Sequence, residues 1–95
     1  ELALQADMVV AAGNAQFGLP EVATGSLPGA GGLNALLRTL PRNVATQLVF
    51  TAERLSAERA LAYGLIGAMY DLPDFDGQVA GLAQRIARQG PLAVQ

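Results

Sequence analysis

The chain has 95 residues, 52% of them hydrophobic and 15% charged, with a formal net charge of −2. That makes one domain at most, apolar enough for a modest core and too apolar for a disordered chain. Cysteine and histidine are both absent, which removes disulfides, thiol nucleophiles, Ser–His and Cys–His pairs and the usual ligands of a zinc site. The six basic residues are all arginine and lie scattered along the chain, so no basic face for nucleic acid is expected. No apolar run approaches the length of a membrane span. Chemistry is left to carboxylates, hydroxyls, backbone amides and arginine.

The chain opens Glu1-Leu2-Ala3-Leu4, without an initiator Met or a basic leader, which predicts a piece of a longer protein rather than a secreted one. Glu1–Gln5 consists of good helix formers with no cap before them and reads as the end of a helix. Asp7 leads into Met8–Ala12, a short apolar run with the β-branched content of a buried strand. Gly13-Asn14 is a turn signal, and Gln16–Gly18 is a second short strand.

Phe17–Gly32 is the stretch around which the rest is organised. It holds five glycines (Gly18, Gly25, Gly29, Gly31 and Gly32), Pro20, Pro28 and a single charged residue, Glu21. Glycines let other groups approach the backbone closely, and a lone carboxylate in apolar surroundings tends to have a raised pKa. The stretch lacks the Gly-Lys-Ser/Thr of a P-loop and the G-x-G-x-x-G spacing of a dinucleotide site.

Leu33–Leu40 reads as a helix ended by Pro41, and Asn43–Thr51 as a second helix capped by Asn43. Leu55–Gly64 carries the clearest local signal. Ser56 is an N-cap residue, Glu58 favours the first turn, and Gly64 suits the position just past the end. Leu65–Tyr70 is a third short strand. Asp71, Asp74 and Asp76 form an acidic turn whose spacing is not that of an EF-hand loop, so no metal site is expected. A last helix spans about Gly77–Gln89 with Val79, Leu82, Ala83, Ile86 and Ala87 along one stripe, and Gly90-Pro91 stops it.

Glu1 and Glu21 are the candidate acid/base pair. Both lie beside the predicted strand pair, one at a helix end and one in the Gly/Pro loop. If Met8–Ala12 and Ala15–Gly18 form a hairpin, Glu21 returns to the level of Glu1, and two carboxylates facing one cleft can divide acid and base duties.

Four spaced motifs occur in order: Glu1-Leu2-Ala3-Leu4-(x)2-Asp7, Ala15-Gln16-Phe17-Gly18-Leu19-Pro20-Glu21, Gly25-(x)2-Pro28-Gly29-Ala30-Gly31-Gly32, and Leu55-Ser56-Ala57-Glu58-(x)-Ala60-(x)2-Tyr63-Gly64-Leu65. Together they closely resemble the enoyl-CoA hydratase/isomerase family, the crotonase superfamily, over nearly the whole chain. The resemblance implies an α/β fold, the crotonase spiral of β-β-α turns. Residues 1–95 would be its second half, mostly helical with short strands, the N-terminal half being missing. It implies an acyl-CoA thioester as substrate and no separate cofactor, coenzyme A being part of the substrate.

The same resemblance places the family's two catalytic glutamates on Glu1 and Glu21. It makes Gly29 the backbone amide that helps hold the reacting water, and it puts both oxyanion-hole amides upstream of Glu1. A homotrimer or dimer of trimers is implied, cytoplasmic, or in the mitochondrial matrix in a eukaryote. Two departures bear on subfamily. Leu33-Asn34-Ala35-Leu36 stands where many hydratases have Thr-Gln-Arg-Leu, and Thr51-Ala52-Glu53 stands where Thr-Gly is usual. Both look closer to carnitinyl-CoA dehydratase-like members. The alternatives are an enoyl-CoA isomerase or a carnitinyl-CoA dehydratase, and, outside enzymes, a non-catalytic fragment that only assembles with crotonase-like subunits.

Overall fold

The computed structural model describes residues 3–20, 32–90 and 93. After a 3-10 turn at Ala3–Gln5 come β1 (Val10–Ala12) and β2 (Gln16–Phe17), then α1 (Gly32–Thr39) and α2 (Arg42–Thr51). The chain continues through β3 (Leu55–Ser56), α3 (Ala57–Tyr63), β4 (Ala68–Tyr70), a 3-10 turn at Leu72–Asp74 and α4 (Phe75–Ala87).

The strands form two separate pairs. β1 runs parallel to β4, with Val10 opposite Ala68, Ala11 opposite Met69 and Ala12 opposite Tyr70. β2 runs antiparallel to β3, with Gln16 opposite Ser56 and Phe17 opposite Leu55. The hairpin considered between Met8–Ala12 and Ala15–Gly18 therefore does not form. The turn at Gly13-Asn14 is present, closed by the Ala15 N–H donating to Ala12 O at 3.0 Å. It passes the chain from one ladder to the other instead of folding β1 onto β2. The Gly13 N–H donates to Tyr70 O at 2.9 Å and the Gly67 N–H to Val9 O at 2.8 Å, so β1 finds its hydrogen bonds far along the chain.

The core is built from small sets on α1, α2 and α3. Leu36 and Leu40 come from α1 and its end, Ala45, Leu48 and Val49 from α2, and Ala57 and Ala60 from α3, joined by Ala11, Leu19, Leu55, Leu65 and Ile66. The i, i+3 and i+4 spacings put each set on one helical face. Ala45, Ala57 and Ala60 are fully buried, and the absence of larger side chains there lets neighbouring backbones close up.

α3 has the ends that its residues dictate. Ser56 Oγ accepts from the Arg59 N–H at 3.2 Å. At the other end the Gly64 N–H donates to Leu61 O at 3.1 Å and the Leu65 N–H to Ala60 O at 2.8 Å. This is the paired closure that a left-handed residue just past a helix allows, and Gly64 supplies it with φ 83°. Leu65 then turns inward onto Ala60, both buried.

Three expectations need correction. The cap of α2 is not Asn43. Arg42 already opens the helix, the flanking residue is Pro41, and no side chain caps it. Leu55-Ser56 is a strand before it is a helix lead, because its partner is the distant β2. α4 begins two residues earlier than expected, at Phe75, and its stripe is not covered: the helix contains no buried residue, and Ile86 is 39% exposed. Among the described residues no helix is long and apolar enough to cross a membrane.

Candidate functional site

Glu1, Glu21 and Gly29 lie outside the described residues. The segments that border them do not, and two of these meet. Ala3 and Leu4, which follow Glu1 closely, and Phe17, Gly18 and Leu19, which run up to Pro20 and Glu21, line one cavity of about 50 Å3. Leu36 of α1, Leu48 of α2 and Leu65 complete its wall. Leu19, Leu36, Leu48 and Leu65 are all buried, so the cavity has an apolar floor, with exposed Ala3 and Gly18 at its rim. Such a floor lowers the local dielectric, which strengthens electrostatic interactions at the rim and raises the cost of ionising a carboxyl group there.

The run that leads to Glu21 is braced from one side. Beyond the β2–β3 ladder, the Ala57 N–H donates to Ala15 O at 3.1 Å and Arg54 Nη1 donates to Gln16 Oε1 at 3.2 Å. A Cβ placed on Gly18 would stand 3.5 Å from Glu53 O. The α2–β3 turn that supplies these contacts is itself tied down. Thr51 Oγ1 donates to Gln47 O at 2.6 Å and accepts from the Glu53 N–H at 3.3 Å. Gln47 Nε2 donates to Glu53 Oε1 at 3.1 Å. Ala52 holds the turn with φ 54° and ψ 22°, the only positive φ at a non-glycine position among the described residues.

Elsewhere the polar groups are ordinary surface. Asp71, Asp74 and Asp76 are exposed at the start of the Leu72–Asp74 turn and of α4, where negative charge suits the helix dipole. Arg59 sits 5.6 Å from the centre of the Tyr63 ring, and the side-chain hydrogen bond to Tyr63, followed by its charge, raises the arginine above its usual range. Among the described residues no three of His, Cys, Asp and Glu come together as a bound metal ion would require.

The sequence reading singled out the two glutamates and the Gly-rich loop. It did not pick out the apolar cavity or the Arg54–Gln16 brace. The leucines of the cavity come from separate segments and carry only an ordinary core signal. Arg54 lies 38 residues from Gln16, so no local spacing announces the contact.

The model of the family described as enoyl-CoA hydratase/isomerase matches residues 1–95. The chain is 40% identical over 95 residues to the 2,3-dehydroadipyl-CoA hydratase of Escherichia coli K12, covering 100% of this chain and 37% of that protein. It is 38% identical over 94 residues to the carnitinyl-CoA dehydratase of Salmonella paratyphi A, covering 99% of this chain and 36% of that one. Among solved structures, the enoyl-CoA hydratase of Mycobacterium tuberculosis H37Rv superposes with a TM-score of 0.93 at 41% identity, over 98% of this chain and 37% of its own. The chain thus spans a little over a third of the length of the relatives it matches.

Proposed function

Because the chain belongs to the enoyl-CoA hydratase/isomerase family and has its crotonase fold, we propose that it carries acid/base residues of a hydro-lyase. The substrate is a trans-2-enoyl-CoA thioester, and Glu1 and Glu21 share the proton transfers. The observation that carries this reading is the convergence of Ala3–Leu4 and Phe17–Leu19, the neighbours of the two glutamates, on one apolar cavity.

The chemistry follows from the atoms involved. Water adds through its oxygen to the β-carbon of the conjugated thioester. One glutamate, ionised, takes the proton that this water loses. The electron pair of the double bond moves toward the thioester carbonyl, and the α-carbon receives a proton from the other glutamate, which must start neutral. One proton is therefore shared between two carboxyl groups at the start of each turnover, as mutual repulsion and low dielectric favour. The backbone amide of Gly29 orients the water, which adds selectivity in position without adding a titrating group. No separate cofactor takes part, and the coenzyme A moiety belongs to the substrate.

The working unit on this reading is a homotrimer or dimer of trimers. It is cytoplasmic, or in the mitochondrial matrix for a eukaryotic source. Light scattering on the intact protein checks the assembly, and a monomeric mass would rule it out.

Assaying the intact protein with crotonyl-CoA, a 3-enoyl-CoA and carnitinyl-CoA separates the alternatives. Loss of enoyl-thioester absorbance with crotonyl-CoA supports the hydratase. Turnover of the 3-enoyl substrate alone points to an isomerase, and turnover of carnitinyl-CoA alone to a dehydratase. A folded protein inert toward all three contradicts an enzymatic role.

A further inference from the structure

We draw no further inference here: the strongest candidate, the apolar stripe of Val79, Leu82 and Ile86 along α4, a helix with no buried residue, carries nothing because nothing in the structure shows what covers it.

Discussion

Replacing Ala52 with glycine should make the protein more stable. Ala52 ends α2 in the left-handed region, with φ 54° and ψ 22°, a conformation in which an L side chain crowds the backbone at a cost of about 1–2 kcal/mol. Glycine removes that cost but gives up about 0.5–1 kcal/mol through the larger freedom it loses on folding. The Ala52 methyl is only half-buried and borders an open cleft, so little packing is lost with it. The balance is a gain of about 0.5–1 kcal/mol, or roughly 1–4 °C in Tm for a chain of 150–250 residues. Urea and thermal unfolding of the intact protein measure it, with an unchanged m-value showing that the folded state itself is the same.

Gly64→Ala is the opposite experiment. Gly64 has φ 83°, and a Cβ placed there meets nothing within 4 Å, so no new contact enters and the effect is backbone strain set against chain entropy. The expected loss is about 0.5–1 kcal/mol, the strain of about 1–2 kcal/mol less the roughly 0.5–1 kcal/mol that alanine saves by restricting the unfolded chain. If Ala52→Gly destabilises while Gly64→Ala behaves as expected, the Ala52 methyl makes contacts that outweigh its strain, and the reasoning about the turn fails. The departure noted in the sequence, Thr51-Ala52 where Thr-Gly is usual in resembling proteins, thus has a physical consequence: the substitution falls on the one left-handed cap in α2.

Leu55→Ala should cost about 2–5 kcal/mol, the range for emptying a closed leucine site, because Leu55 has no exposure at all and pairs with Phe17 in the β2–β3 ladder. A loss below about 1 kcal/mol in urea unfolding would mean that the core collapses to fill the gap and that the ladder does not depend on it. The pH profile of kcat/KM should be bell-shaped. The base must be ionised, so activity rises with pH through its apparent pKa, and the acid must be protonated, so activity falls again above the second apparent pKa. Glu21→Gln should remove one limb: loss of the acidic limb makes Glu21 the base, and loss of the alkaline limb makes it the acid. Retention of both limbs would contradict a shared proton.

What the sequence disclosed was local. α3 was legible at both ends because Ser56 and Gly64 act on the backbone within a turn of themselves, and neither needs a distant partner. The existence of β1, β2 and β4 was legible from short apolar runs, whereas their pairing was not. β1 pairs with residues nearly 60 positions away, at Ala68–Tyr70, and nothing in Met8–Ala12 encodes that. The turn at Gly13-Asn14 was correctly placed yet misleading, since a turn fixes a change of direction and leaves the strand partner open. β3 was hidden because Leu55-Ser56 also serves as the entry to α3.

The α4 stripe is a helix by its periodicity, but periodicity says which residues share a face and not whether anything covers it. For the site, the isolation of Glu21 among glycines, prolines and aliphatic residues was visible in composition, Glu1 was paired with it from its place beside the predicted strands, and the ordered motifs added Gly29. The cavity lined by Ala3, Leu4 and Phe17–Leu19 depends on Leu36, Leu48 and Leu65 arriving from three separate segments, which only the folded chain brings together.

The central claim is that two glutamates share the proton transfers of hydration. The most direct measurement is kcat for crotonyl-CoA in the intact protein and in its Glu21→Gln and Glu1→Gln variants, each checked for folding. The account predicts hydration by the parent and a fall of about 10²-fold or more in each variant, the scale of positioned acid/base catalysis. Equal kcat in the parent and in either folded variant would contradict the role given to that glutamate.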